Sequence, residues 1–428
     1  MSLPDQITDP LQDWLTQQRW FASKAREVAS VNVLQRVPLN EAPKLELTLV
    51  EARFHAGTHE LYQLLPGDCE GVRALAELFG AEATIAGVAF HGGLTPSGHI
   101  RSIGAEQSNS SIVFGERQVL KVFRRIQPGI NPELDMLRFL SARGFENIAA
   151  LTGWYDYTGE LLQATLGILQ EFVTEARDGW QLALDDPLGL LRRLPELGTA
   201  TGRMHSALAA DAGDPAFAPE EPSDDALALL TATIDEQIER AFIDLPDDPA
   251  VAPIAGRGEE VRDRLQLMSH VGVGGRLIRH HGDYHLGQTM LTTGGRSGGG
   301  RSGWIILDFE GEPARSLRER RRKRSPLRDI AGMLRSFAYA ASASELLRGV
   351  PAPAGWEQRA RKGFLDAYFD AVEPTLLPAG QAAIDKLLAI FELEKAVYEL
   401  HYELNNRPDW VAIPVAGIAR LLDVEVTS

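Results

Sequence analysis

Apolar residues recur along this chain with two different periods, and the change from one to the other divides it. Up to about residue 173 they fall in short runs, among them VNVLQRV, LELTLVEARF, SIVF, QVLKVF, WYDYTGELL and LGILQEFV. Successive strand side chains point to opposite faces, so such runs predict β-strands. Two helices interrupt them. One is expected around residues 11 to 18. The other is expected in PGINPELDMLRFL, where Asn131 caps, Pro132 takes the first helical position and Glu133 and Asp135 supply first-turn acids. After Phe172 the period lengthens, and LLRRLPELGTATGRMHSAL, DDALALLTATIDEQIERAF, DIAGMLRSFAYAAS and QAAIDKLLAIFELEKAVYELHYEL predict long helices. Among them lies one β island, GQTMLTT and WIILDFE, joined by the flexible tract GGRSGGGRSG.

The segment AFHGGLTPSGHI, rich in Gly, Pro and Ser, predicts a boundary. The expected organisation is a small module over residues 1–94, an antiparallel sheet with one helix over 95–173, and a mainly helical portion over 174–428. That is an α+β chain without internal repeats.

Composition narrows the function classes. At 428 residues, with 44% hydrophobic and 24% charged positions, the balance is that of a soluble globular protein. Forty-three basic against fifty-nine acidic residues leave a formal charge of −16, which disfavours general binding to nucleic acid or anionic membrane. An anionic ligand then needs a locally basic pocket. Cys69 is the only cysteine, so no internal disulfide forms and a thiolate zinc cluster is excluded. The opening MSLPDQITDPLQDW lacks the basic and then apolar pattern of a signal peptide, and no uncharged apolar run nears the roughly 20 residues of a membrane span. A cytoplasmic enzyme is expected.

The most informative segment is His281-Gly-Asp-Tyr-His-Leu-Gly-Gln288, followed 25 residues after Asp283 by Asp308-Phe-Glu310. Phosphoryl transfer asks a protein for a carboxylate near the attacking hydroxyl, oxygen ligands for Mg²⁺ and a cation on the phosphates. Asp283 precedes a strand, Gln288 begins it and Asp308 ends the next, so a hairpin sets Gln288 beside Asp308 as two oxygen donors for Mg²⁺. Lys121, on the second strand of the SIVF-GER-QVLKVF hairpin, supplies the cation. Alone, HGD-x-H fits an ordinary turn, and its coupling to DFE and Lys121 is what favours chemistry. His280, His281 and His285 do not predict zinc, because His281 and His285 share a loop and not a helical face. His281 is expected to orient the catalytic loop by hydrogen bonding.

HGD-x-H with a downstream D-F-E resembles the catalytic and metal-binding loops of aminoglycoside phosphotransferases and other kinases of the protein-kinase-like fold. The strings QSNSSIVF, LKVFRR-x-x-PG-x-NPE, HGDYHLGQ, DFEGEP, SPLRD-x-AGMLRSF and YELNNRPDW are similar to those of the actinobacterial maltokinase group, which includes maltokinases and glucosamine kinases. The likeness runs from Trp20 to about Pro414. It implies a bilobal protein-kinase-like fold with an extra N-terminal cap and a mainly helical C-lobe. It also implies that Asp283 is the catalytic base, that Gln288, where relatives usually have Asn, and Asp308 bind Mg²⁺, and that Lys121 meets the ATP phosphates. Glu133 or Asp135 would pair with Lys121, the latter being shorter than the glutamate the group carries there. Gln170-Glu171-Phe172-Val173 is similar to the segment joining the lobes, where the main chain of Glu171 and Val173 binds adenine. Gln107-Ser108-Asn109-Ser110-Ser111 stands where protein kinases have a glycine-rich loop, so hydroxyls as well as N–H groups would contact phosphate.

Arg318-Glu-Arg-Arg-Arg-Lys-Arg324 reads as a solvated loop or, preferably, as a source of positive potential near ATP, rather than a nucleic-acid patch. On the last long helix Glu392, Glu399 and Glu403 form one stripe, explained by an exposed face with Lys395 nearby or by a substrate ammonium. With Tyr398, Tyr402 and Trp410 the stretch would make a sugar platform. The combined reading is an ATP- and Mg²⁺-dependent kinase of a small free sugar or aminosugar, without nucleic-acid, membrane or obligate protein partner. Asp283, His285, Glu399, Tyr402, Glu403 and Trp410 are expected around the acceptor. Glucosamine, giving glucosamine 6-phosphate, is favoured. Maltose, giving maltose 1-phosphate, is the alternative, and a catalytically silent nucleotide-binding regulator is the alternative of another class.

Overall fold

The computed structural model describes residues 11–423 apart from 19, 22, 25, 66–68, 95–97, 104–108, 244, 270–274, 293–302 and 313–314. Ser108 and nearly all of the glycine and serine tract therefore lie outside the described residues. Those described divide into two compact units, one up to Glu175 and one from Ala176.

The first unit is built on two antiparallel sheets. The smaller orders Val28–Asn40, Leu45–Phe54, His59–Leu64 and Arg125–Ile126. The larger orders seven strands: Thr84–Ile85, Val88–Gly92, Leu151–Thr158, Gln163–Glu171, Gln118–Phe123, Asn109–Phe114 and Ile100–Ile103. The run LELTLVEARF explains why these sheets are not separate bodies. Its odd positions Leu45, Leu47 and Leu49 join one buried cluster with Phe79, Phe90, Leu120 and Tyr155. Its even positions Val50, Ala52 and Phe54 join Trp20, Phe21 and Tyr62 in another. A strand that is apolar on both faces is covered on both.

The buried Gln63 side chain adds a polar tie, since Nε2 donates to the Phe123 carbonyl at 2.7 Å and Oε1 accepts from the Tyr155 hydroxyl at 3.0 Å. Leaving that amide unpaired would cost about 1–3 kcal/mol. The expected boundary near residue 94 thus describes chain order but not packing. Val88–Gly92 pairs with Leu151–Thr158, and residues on both sides of the boundary share one core.

The second unit is mainly helical and carries one three-stranded sheet of Ala176–Asp178, Thr289–Thr292 and Gly303–Ile306. Helices Pro187–Leu208 and Trp356–Ala371 approach closely at two glycines. A Cβ at Gly198 would lie 2.2 Å from the Phe364 carbonyl oxygen, and one at Gly202 would lie 2.9 Å from that of Tyr368. Helix Leu327–Arg348 packs along Gln381–Asn406. Their facing sides carry much of the site. Among the described residues no helix is long and apolar enough to cross a membrane.

Candidate active site

The loop from His281 to Gln288 is held by its backbone. Asp329, in the first turn of the Leu327–Arg348 helix, accepts from the N–H groups of His281 at 2.7 Å and Gly282 at 2.9 Å. The same carboxylate lies 3.1 Å from His205 Nε2. Burial alone would raise the Asp329 pKa, but the neighbouring His280 and His205 outweigh it and hold the group well below the usual carboxylate range. A charge-assisted pair of amide bonds of this kind sets the loop more firmly than neutral ones. The Leu286 N–H donates to Ser336 Oγ at 3.0 Å. At Gly332 a Cβ would meet the Tyr284 carbonyl oxygen at 2.6 Å, so the helix lies directly against the loop.

His281 orients the loop, as expected. Its Nε2 donates to the Leu307 carbonyl at 2.7 Å, which leaves Nδ1 as an acceptor for the Asp283 N–H at 3.4 Å. The catalytic loop is thereby tied to the segment carrying Asp308. Gln288 closes a short 3₁₀ turn, Leu286–Gln288, and the strand proper begins at Thr289. Its Nε2 donates to Asp308 Oδ2 at 3.2 Å, so the hairpin brings together the two residues expected to meet there. Asp308 lies two positions beyond its strand, in left-handed backbone at φ 59°. Strain of this kind in a residue other than glycine concentrates at functional sites.

The Asp283 carboxylate opens on a cleft of the second unit and meets a group that sequence reading missed. Lys395 Nζ lies 3.3 Å from Asp283 Oδ1 and 3.4 Å from Glu312 Oε1. Burial pushes the Lys395 pKa down, but Asp283, Glu312 and Glu399 more than reverse this, and the ammonium is held charged. Burial likewise pushes Glu312 up. Lys395 and Arg315 outweigh it and bring Glu312 to about 2. His285 Nε2 stands 4.0 Å from Asp283 Oδ2, with burial lowering its pKa. Glu312 lies within the quoted DFEGEP and Asp329 within SPLRD, yet neither string says what its acid touches.

In the first unit, Lys121 Nζ meets Glu133 Oε2 at 2.8 Å. Of the two acids considered, Glu133 is the one this contact selects. Asn131 Oδ1 fixes it by accepting from the Glu133 N–H at 2.8 Å, while the Asp135 N–H bonds the Asn131 carbonyl at 3.1 Å. Both members are largely buried, which strengthens the pair. Glu171 ends its strand with its N–H on the Ala150 carbonyl at 2.8 Å, and Val173 follows the strand. Asn109 is buried at the start of the Asn109–Phe114 strand, and Ser110 Oγ accepts from Arg124 Nε at 2.8 Å.

The glutamate stripe does not stand open for a substrate ammonium. Glu392 takes Arg361 at 2.7 and 2.8 Å, Glu399 takes Arg335 at 2.7 and 3.0 Å, and Glu403 takes Arg407 at 2.8 Å with the Tyr339 hydroxyl at 3.2 Å. Burial raises the Glu399 pKa, and Arg335 opposes it. Trp410 stacks on Tyr339 with centroids 6.5 Å apart, and Tyr402 is exposed. The three glutamates therefore serve a packed ionic layer, while Tyr402 remains on an open face.

The run from Arg318 is partly solvated, with Arg318, Glu319 and Arg322 exposed, but it is ordered by local contacts. Ser316 and Glu319 form a capping box for the turn Leu317–Arg320, and Lys323 Nζ reaches the Pro215 carbonyl and Glu220, each at 2.7 Å.

A loop carboxylate, a neighbouring amide and carboxylate, and a lysine–glutamate pair on the sheet of the first unit are the parts of a phosphotransferase. Comparison with known sequences agrees: the maltokinase N-terminal cap domain matches residues 14–91, and the phosphotransferase enzyme family matches residues 99–310. The chain thus carries a maltokinase N-terminal cap domain followed by a phosphotransferase-family domain, and is similar to the maltokinase and glucosamine kinase group.

A glucosamine kinase of Streptacidiphilus jiangxiensis is 29% identical over 353 residues, covering 78% of this chain and 76% of that protein. One of Mycolicibacterium smegmatis is 27% identical over 343 residues, covering 76% and 79%. The fold matches a solved glucosamine kinase (crystal form B) with a TM-score of 0.74 at 20% identity, over 97% of this chain and 100% of that one. It also matches a glucosamine kinase in complex with glucosamine, ADP and inorganic phosphate, at 0.70 and 20% over 97% and 99%. The fold is kinase-like with an added N-terminal cap.

Proposed function

We propose that this chain transfers the γ-phosphoryl group of ATP to a hydroxyl of free glucosamine, giving glucosamine 6-phosphate. The observation that carries the reading is Asp283, whose loop is fixed through Asp329 and whose carboxylate faces a cleft shared with Lys395, Glu312 and Tyr398. In the step, Asp283 orients the acceptor hydroxyl and takes its proton as the oxygen bonds the γ-phosphorus, while the bond from that phosphorus to the bridging oxygen breaks and ADP leaves. Lys121, steadied by Glu133, neutralises the α- and β-phosphates. Main-chain groups of Glu171 and Val173 seat adenine, and the segment with Ser108, Asn109 and Ser110 covers the phosphates.

Mg²⁺ fits the Gln288 and Asp308 pair, because the side chains meet through Gln288 Nε2, and turning that amide over would set its oxygen beside the carboxylate as a second hard donor. Bound there, Mg²⁺ would supply charge neutralisation to the phosphates. The acidic charge and single cysteine suit a cytoplasmic setting.

Two curated relatives are glucosamine kinases, which favours that acceptor. The cap domain is named for maltokinase, which supports maltose as the second reading. A coupled ADP-release assay with glucosamine, maltose, glucose and no acceptor, with and without Mg²⁺, separates them. A kcat/KM for glucosamine at least about tenfold above that for maltose is the expected outcome. The reverse order selects the maltokinase, and ATP binding without ADP release on any acceptor selects a silent regulator.

A further inference from the structure

The cleft beside Asp283 is lined by five cationic and five acidic side chains, and its acids are engaged by groups other than Arg324. Glu312 is engaged by Lys395 and Arg315, Glu394 by Arg328, Asp329 by the loop amides and His205, and Glu319 by the Ser316 hydroxyl. Arg324 also lines this cleft and, among the described residues, makes no side-chain hydrogen bond or ion pair. Its backbone is fixed: its N–H and carbonyl exchange two 2.9 Å bonds with Ile278, two residues before His280. Burial lowers its pKa to about 10, and the nearby guanidinium groups of Arg328 and Arg315 add to the effect.

His280, 9% exposed, lines the same cleft. Its Nδ1 is buried without a hydrogen-bond partner, and burial pushes its pKa down against the opposing pull of Asp329. The Gln237 side chain adds an amide to the wall. A guanidinium crowded by two others, whose nearby carboxylate Glu394 is already paired with Arg328, is stabilised by an anion, and its planar fork matches the oxygens of phosphate.

We infer that Arg324, with His280 and Gln237, forms a subsite for the phosphate group of a sugar phosphate, so that the cleft binds the class of molecule the reaction releases. That choice of occupant rests on the proposed function, whereas the anion subsite rests on Arg324 alone. Occupation would block acceptor entry beside Asp283 and act as product inhibition.

Isothermal titration calorimetry tests this on the full-length protein with a saturating non-hydrolysable ATP analogue and Mg²⁺, which fills the α-, β- and γ-phosphate positions of the nucleotide site. The probes are glucosamine 6-phosphate, inorganic phosphate and uncharged glucose. Glucosamine 6-phosphate should bind, and Arg324→Gln should weaken it at least about tenfold, while Arg324→Lys, keeping the charge, loses less. Inorganic phosphate competing with the same Arg324 dependence shows that the phosphate group is what the subsite reads. Equal binding to wild type and Arg324→Gln, or no binding of either anion to the wild type, overturns the subsite. A variant that unfolds is recognised by its melting curve, and Arg324→Lys then decides. Should the protein bind these anions through Arg324 yet fail to phosphorylate glucosamine, the subsite stands and the acceptor assignment falls.

Discussion

The Lys395 ammonium stands 3.3 Å from Asp283 Oδ1, across a separation of 112 residues in the chain. It places a fixed positive charge beside the carboxylate proposed to receive the acceptor proton, and ties that carboxylate to Glu312. Lys395→Met would leave Glu312 with Arg315 as its ion-pair partner in a buried setting. We expect kcat/KM for the acceptor to fall about 10- to 100-fold with the KM for ATP nearly unchanged, read by steady-state kinetics in both substrates. Undiminished turnover would assign Lys395 a packing role only.

Replacing Asp283 with Asn keeps the shape and removes the proton acceptor. Turnover should drop by about 10²–10⁴. Nucleotide affinity, measured by titration with ADP, should stay within a factor of about three, since the proposed nucleotide contacts lie elsewhere.

The Lys121 pair gives a contrast between two acids on one helix. Glu133→Gln weakens the contact seen at 2.8 Å and should lower kcat/KM for ATP at least about tenfold. Asp135→Asn should change it less than about twofold. Reversed sensitivities would show that the shorter acid is the working partner.

The glutamate stripe predicts a cost in folding rather than in sugar recognition. Arg335 is 2% exposed, and Glu399→Ala strands its charge. Breaking such a buried pair costs about 3–5 kcal/mol. Calorimetric melting should show a large loss of stability, and a normal melting curve with a raised acceptor KM would restore the stripe as a substrate site.

Stability should also fall on mild acidification. Burial pushes the His280 pKa down from 6.5 to about 3, with Arg328 and Arg324 contributing. In the unfolded chain the imidazole takes its proton near pH 6.5, so below that the unfolded state binds more protons than the native one. Its effect is absent well above pH 6.5, and stability is lost progressively as pH drops toward 3. At pH 5.5 the loss is about 1.4 kcal/mol. Glu312, held at about 2, adds its own loss only below about pH 4.5. Melting at pH 7.5 and 5.5 should show a smaller decrement for His280→Gln than for the wild type.

What the sequence disclosed was local. Gln288 and Asp308 are joined by one hairpin, so spacing sufficed to bring them together, whereas the resemblance narrowed the partner of Lys121 to Glu133 or Asp135 without choosing between them. Lys395 and Glu312 were hidden because their contacts cross 112 and 83 residues. The Trp356–Ala371 helix went unread since only Trp356, Ala360, Phe364 and Tyr368 are buried in a charged stretch, too thin a stripe to stand out. Ala412–Asp423 was obscured by Pro414 near its start. The glutamates misled because arginines 335 and 361 lie on other helices.

At Gly332 the distance between helix and loop is a question of clearance. A hydrogen atom where other residues carry carbon lets the two segments lie nearer than ordinary side chains permit, and the Asp329 carboxylate reaches the loop amides across that gap. Neither segment can change its path alone without opening or crushing the other.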